Sequence, residues 1–454
     1  MSIRHSKKQI PYKHPPKRKD KMNTPQATLR ILSPLKIYFL GLSVYIALWV
    51  LSPIDFNFQG DVDSVVLFFF YNLLFALGLC VGYRRKSESK THIPVNKKNI
   101  HSLINTIAWL GSIGLLIRCF ERIFIRSGGA ISTDFIANRE MISAGGSGSI
   151  ALIGSLLSSF LYFLPFFIFL ARATGFRYRY HYLLLFASLL NPLFDVAFQG
   201  SRSSLVMYIS IFAISAITTG FLKFNIKKII LVALLSIAFI WFGGSIFWQR
   251  TIQLGLDPIA SMQTSGYAIF APASDTVLTY LTNDKSSIIS GLLFSAVNFS
   301  QYFLHGMYEF FYLAANTNSA TTFGLQTLYI PAKIVTTIFG GPDVGTLNAS
   351  GVLRPGVYTT FFGPLLYDFG PTGGAFASFF FGGLTGLLHR LIYKQKMIWA
   401  PLYLIFSAFL PFVFVVNLFT SGGGQYAIIS AIPLALLIKS KRITKKTDQT
   451  NTLS

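Results

Sequence analysis

Ten apolar runs, each about twenty residues long, recur along the chain at 35–52, 63–83, 102–124, 150–171, 181–199, 203–221, 229–248, 365–390, 398–418 and 424–439. A helix needs roughly 20 apolar residues to cross about 30 Å of hydrocarbon, so each run can be a transmembrane span. Within hydrocarbon the backbone finds no water, and a helix satisfies its own polar groups. The expected fold class is therefore an all-α integral membrane protein, a polytopic bundle of about ten spans. Composition agrees. Of 454 residues, 52% are hydrophobic and only 12% charged, about half the charged share of a soluble chain. This excludes a disordered, fibrous or nucleic-acid-wrapping protein and argues against a soluble enzyme. Cys80 and Cys119 both lie in apolar runs and supply neither a disulfide framework nor a metal site.

The net charge of +23 would suggest nucleic acid in a soluble chain, but its placement marks topology. With a cytoplasmic N-terminus, segments 1–36, 84–100, 172–180, 222–228, 390–397 and 439–454 hold 30 of the 39 Lys and Arg residues. The opposite side holds most of the acids, as the positive-inside rule requires. Both termini are thus predicted cytoplasmic, with no nucleic-acid partner. The organisation expected is a basic, disordered tail over 1–34, spans 1–7 over 35–248, a large outside segment over 249–364, spans 8–10 over 365–439, and a second basic tail over 440–454. The N-terminal tail lacks the pattern of a cleavable signal peptide. Residues 288–315 read as an amphipathic helix lying on the membrane or folded over the bundle. The alternative makes this stretch and 325–340 two further spans, twelve in all.

Seven arginines are not topology signals: Arg118, Arg122, Arg126, Arg139, Arg202, Arg250 and Arg354. The first three are spaced by four and share a helix face. Arg118 falls inside the membrane, where a charge needs a partner or a wet cavity. Glu121, three residues on, could neutralise it; alternatively the ladder faces a phosphorylated ligand, for which planar guanidinium suits. Arg202 follows a Gly200-Ser201 turn, where it points into the outer vestibule or is simply solvated. Arg139 precedes a Gly-rich stretch, and Arg250 ends the seventh span, where it could merely snorkel.

His305 is the one histidine in the large outside segment, with Glu309 four residues on. Asp368 stands where the eighth span begins, able to accept a proton from a hydroxyl or to cap a helix. Asp195 is a further buried acid whose plain reading is a pair with Arg202. Asp61 and Asp63 could serve metal or base chemistry in the first outside loop, or be ordinary loop acids. No cluster has convincing metal-ligand spacing, and no nucleotide-binding pattern stands in the right context, so no cofactor is expected.

Gly356-Val357-Tyr358-Thr359-Thr360, then Tyr367-Asp368-Phe369-Gly370-Pro371-Thr372-Gly373-Gly374, then a span with Gly382-Gly383-Leu384-Thr385-Gly386 resemble the oligosaccharide repeat unit polymerases, the Wzy-type O-antigen polymerases. The Gly200-Ser201-Arg202 turn, Arg250, and Tyr302 ahead of Gly324 to Thr327 are similar to that family too. The resemblance covers roughly residues 130–400 and rests on the ordered set, since no single motif is strong; the N-terminal third is similar only in being hydrophobic. It implies a GT-C-like, metal-independent glycosyltransferase at the periplasmic face of the bacterial inner membrane, with 249–364 periplasmic. Its substrates would be oligosaccharides on undecaprenyl pyrophosphate, and a chain-length regulator is a possible partner. Under that reading Arg202, Arg250 and Arg139, then Arg118 and Arg122, stabilise the leaving pyrophosphate. Asp368 or His305 is the base, and Tyr358, Thr360 and Tyr302 contact sugar. A ligase acting on lipid A-core, or a flippase for lipid-linked sugar, are the rival readings. A flippase usually shows repeat symmetry, which this sequence lacks.

Overall fold

The computed structural model describes residues 26–84, 90–129, 148–176, 179–199, 203–222, 255–284, 288–317, 321–341, 344–350, 352–354, 357–420 and 422–441, with Ile443 and seven residues between 241 and 252. Strand β1 (Gln26–Arg30) pairs antiparallel with β2 (Lys90–Pro94). The remaining elements are helical: α1 (Pro34–Leu51), α2 (Val62–Tyr83), α3 (Lys97–Phe120) running into a π-helical turn (Glu121–Arg126), α4 (Gly148–Ser158), α5 (Leu164–Ala173), α6 (His181–Gln199), α7 (Ser203–Thr218), α8 (Pro258–Gln263), α9 (Asp275–Asn283), α10 (Ile288–Asn316), α11 (Tyr329–Phe339), α12 (Val344–Ser350), α13 (Phe362–Tyr393), α14 (Ala400–Phe409) and α15 (Gly422–Lys441). A 3-10 turn (Ser159–Phe163) joins α4 to α5.

Among the described residues, seven helical stretches are long and apolar enough to cross a membrane: α1, α2, α3 with its π turn, α4–α5, α6, α13 and α15. The chain is a multi-pass helical membrane protein. Large apolar side chains that water would not tolerate together, among them Leu40, Trp109, Leu116, Phe376 and Phe380, stand exposed along its flank. Local signals set the helix starts. Pro34 opens α1 at its first position. The Asp61 carboxylate accepts from the Ser64 N–H at 2.7 Å, and Ser64 reciprocates, closing a capping box on α2. That is what Asp61 does, and Asp63 follows it in the first turn of α2.

Three expectations change. Residues 26–30, expected as part of the disordered tail, are a strand buried at Ala27 and Leu29. The sixth and ninth runs appear as shorter apolar helices, Ser203–Thr218 and Met397–Phe412. Helix α11 has 11 residues, about 16 Å at 1.5 Å per residue, and covers only part of the run read at 325–340. The seventh run, 229–248, lies almost wholly outside the described residues.

Helix α2 and the second half of α13 run side by side at backbone contact. A Cβ on Gly82 would stand 2.1 Å from the Gly383 carbonyl oxygen, and one on Gly78 2.2 Å from that of Phe379. Small residues at this spacing are what lets membrane helices approach so closely. Above this seam α13 breaks at Gly370, whose φ of 67° lies in the left-handed region. The Tyr71 hydroxyl donates to the Pro371 carbonyl at 2.7 Å, and the Tyr367 and Asp368 carbonyls ahead of the break accept from the Thr322 and Phe323 N–H groups. The β1–β2 pair, joined through α1 and α2, marks one end of the bundle. At the other, the loop end, Ile54 bridges Ala273, and the Tyr45 hydroxyl donates to the Leu304 carbonyl. Helix α10 thereby lies against α1 and α2, its Phe310 ring touching Phe68 and Tyr71.

Candidate functional site

Two polar assemblies sit in the described residues, one inside the bundle and one in the loop-end segment. The first is built by α3, its π turn and α6. One Asp195 carboxylate oxygen takes both the Arg118 guanidinium and, at 2.9 Å, the Arg122 guanidinium. Arg118 also donates to the Asn191 side-chain oxygen at 3.1 Å. The Phe194 ring lies 5.2 Å from Arg122 and 5.9 Å from Arg118. All three ionised groups are buried. Two guanidiniums share one carboxylate, so positive charge remains in excess, and Arg118 Nε has no hydrogen-bond partner among the described residues.

The partners differ from those expected. Glu121 pairs with Arg126 instead of Arg118, and Asp195 takes Arg118 and Arg122, while the expected Asp195–Arg202 pair falls outside the described residues. The π turn explains the first exchange. Its i→i+5 winding brings residues five apart to one face, which the α-helical period does not. Arg139, Arg202 and Arg250 lie outside the described residues.

The second assembly is a cavity of about 100 Å³ between α10, the 352–359 segment, the first turns of α13 and the 416–420 turn. Glu309, Arg354, Tyr358, Tyr367, Gln326 and Asn417 give it its polar wall. The Glu309 carboxylate forms a 2.7 Å ion pair with Arg354, without the angle of a directed hydrogen bond. Arg354 also donates to the Gly266 carbonyl at 2.6 Å and stacks over Phe270 at 4.8 Å. The Leu353 N–H donates to the Tyr367 hydroxyl at 3.0 Å. Burial pushes the Glu309 carboxyl up to about 7, with the Arg354 charge pulling the other way.

Asp368 does not face this cavity as a free base. It is fully buried, and its two oxygens accept from the Thr322 hydroxyl (2.6 Å), the Gln326 N–H (2.8 Å), the Thr327 N–H (2.7 Å) and the Thr327 hydroxyl. With four donors on it, the carboxylate is a clamp on the 321–328 loop. Gln425, at the start of α15, holds the same loop from the other side, donating to the Thr327 carbonyl at 3.1 Å and accepting from the Ile330 N–H. The clamp sets Gln326 in the cavity wall.

His305 is likewise sealed in. It is fully buried, its Nδ1 bonds the Gln301 carbonyl at 2.7 Å, and its Nε2 has no hydrogen-bond partner among the described residues. The Tyr267 ring lies 4.4 Å away. Burial is the main cause that brings its pKa down to about 4. A histidine neutral in the fold but protonated in the unfolded chain loses stability as pH falls. The loss begins near the ordinary 6.5 and is complete near 4. We expect the thermal midpoint in detergent to drop through that window, and the His305→Gln variant to drop less. The raised Glu309 acts oppositely, losing stability as pH rises from about 4.5 to about 7, so each variant is compared with wild type pH by pH.

The structure brings Tyr302 and Tyr358 together, ring centroids 5.2 Å apart, with Tyr267 against both. Of the two, Tyr358 lines the cavity. Thr360 is buried, its hydroxyl accepting from the Phe362 N–H at 3.3 Å, and Thr359 takes its place in the cavity wall. Sequence reading missed the Glu309–Arg354 pair and the Gln425 clamp. A buried acid four residues after a histidine, and a lone Gln after a glycine run, were the available signals. The described residues hold no group of three His, Cys, Asp or Glu that could bind a metal ion. No family model matches the chain, and neither a curated protein nor a solved structure matches it.

Proposed function

We propose that the chain is a membrane glycosyltransferase that polymerises oligosaccharide repeat units carried on undecaprenyl pyrophosphate. It works at the periplasmic face of the bacterial inner membrane, in a ten-span GT-C-like fold with both termini cytoplasmic. The observation that carries the reading is the buried Arg118–Asp195–Arg122 group, whose surplus positive charge suits a pyrophosphate. Charge held inside a membrane bundle is costly unless a ligand or pathway uses it. A leaving pyrophosphate gathers negative charge as it departs, so fixed guanidiniums lower the barrier to departure. Arg139, Arg202 and Arg250 complete the clamp in this proposal. The cavity of tyrosine, amide, acid and arginine side chains supplies the hydrogen bonds and ring faces that sugars use. Asp368 and His305 act in it as supports of the loop and of α10.

Complementation of a polymerase-null strain carrying the matching polysaccharide cluster tests this, read as the lipopolysaccharide ladder on a gel. Wild type restores a ladder from a single capped repeat. Arg118→Ala and Arg122→Ala, at normal membrane levels, each reduce it about 100-fold or more, the size of losing one electrostatic contact to the transition state. A wild-type chain that is well expressed and leaves the single cap unextended sinks the proposal. Loss of the cap itself on deleting the gene points to a ligase or a flippase instead.

A further inference from the structure

We infer that Glu309 is the group that takes the proton from the acceptor sugar's hydroxyl, and that the cavity it walls is the pocket for that hydroxyl. The inference rests on the glycosyl-transfer reading and adds its missing base. Both bases expected from the sequence are occupied elsewhere. Asp368 has four hydrogen-bond donors on its carboxylate, and His305 is fully buried and does not line the cavity. Glu309 does line it. Its Oε1 is the oxygen paired with Arg354 at 2.7 Å, and the carboxylate makes no directed hydrogen bond to another described residue, which leaves its second oxygen to take the proton.

The size of the cavity defines what enters. About 100 Å³ is small beside the usual ligand pocket of about 300–1,000 Å³, and it suits the hydroxyl-bearing edge of one terminal sugar. Tyr358 and Thr359 offer hydrogen bonds to such an edge, and Tyr358 a ring face. The charged and titratable groups that face Glu309 are Arg354 and Tyr358 from the 352–359 segment, Tyr367 from α13, and Tyr312 from its own helix. His305 lies one turn earlier on α10. Burial and Arg354 oppose one another on the carboxyl, which ends near 7, the range where a general base is most useful.

In the step, the acceptor oxygen forms a bond to the anomeric carbon of the donor. The bond from that carbon to the pyrophosphate oxygen breaks, and its electron pair leaves with the pyrophosphate. The acceptor proton passes to the Glu309 carboxylate. Arg354 holds that carboxylate toward the cavity and keeps part of it ionised at neutral pH.

The test uses the full-length protein in nanodiscs with the strain's own undecaprenyl-pyrophosphate-linked repeat, assayed from pH 5 to 9. Glu309→Gln is expected to lower kcat about 100-fold or more with KM near wild type, and to abolish the acid limb of the kcat profile. Glu309→Asp keeps an acid but draws it back, so kcat falls about tenfold and the acid limb moves; this variant decides the matter if the Gln variant does not fold. A folded Glu309→Gln protein within threefold of wild-type kcat at every pH overturns the assignment while leaving the glycosyl-transfer reading standing. So does a folded Asp variant with an unchanged profile. Folded wild-type protein that joins no repeats overturns both.

Discussion

Asp195→Ala is expected to produce a protein that unfolds early in detergent and makes no polymer. The substitution strands two guanidiniums, Arg118 and Arg122, in a buried site where their shared carboxylate was. Removing one partner of a buried ion pair costs about 3–5 kcal/mol, because the remaining charge has lost water and gained nothing. Here two charges are left. The measurement is the thermal midpoint in micelles, read beside the ladder assay. A triple variant, Arg118→Met, Arg122→Met and Asp195→Leu, separates structure from function. Replacing a whole buried ionic group with apolar side chains of similar volume is neutral or stabilising in other proteins, so stability returns. The polymer does not return if the guanidiniums stabilise the leaving pyrophosphate. A triple variant with normal ladders would show that these charges serve only folding.

The second large effect lies at the seam between α2 and α13. Gly382→Ala places a Cβ 2.1 Å from the Phe75 carbonyl oxygen, an atom that cannot swing aside. The helices must separate along the contact, and overpacking of this kind costs about 3 kcal/mol, lowering the thermal midpoint in micelles. Its neighbour is the control. A Cβ at Gly383 meets nothing nearer than the Gly78 carbonyl oxygen at 3.8 Å, an ordinary contact. Gly383→Ala is therefore expected to melt close to wild type. Equal midpoints for the two variants would show that the backbones do not approach this closely.

The two glycines are adjacent in an unbroken run, Gly382-Gly383, and no local rule ranks them. Which one touches α2 depends on how the helices are rotated about their axes. The Asp368 outcome has the same origin. Reading along the chain places an acid at the mouth of a span, suited equally to capping and to proton transfer. Its four donors come from 322–327, more than forty positions earlier, and nothing near Asp368 announces them.

What the sequence determined by itself is the class of structure, a multi-pass helical membrane protein, and where most of its candidate spans run. Hydrophobic transfer is a sum over neighbouring residues, so a window of about 20 positions contains the information. The partners of the charges were decided only by the tertiary structure. Arg118 meets Asp195 across 77 positions, Glu309 meets Arg354 across the segment that folds back over α10, and a π turn reassigns Glu121 to Arg126. An ion pair or a hydrogen bond needs two atoms within about 3 Å. That coincidence is a property of how helices pack, and composition and periodicity carry no record of it.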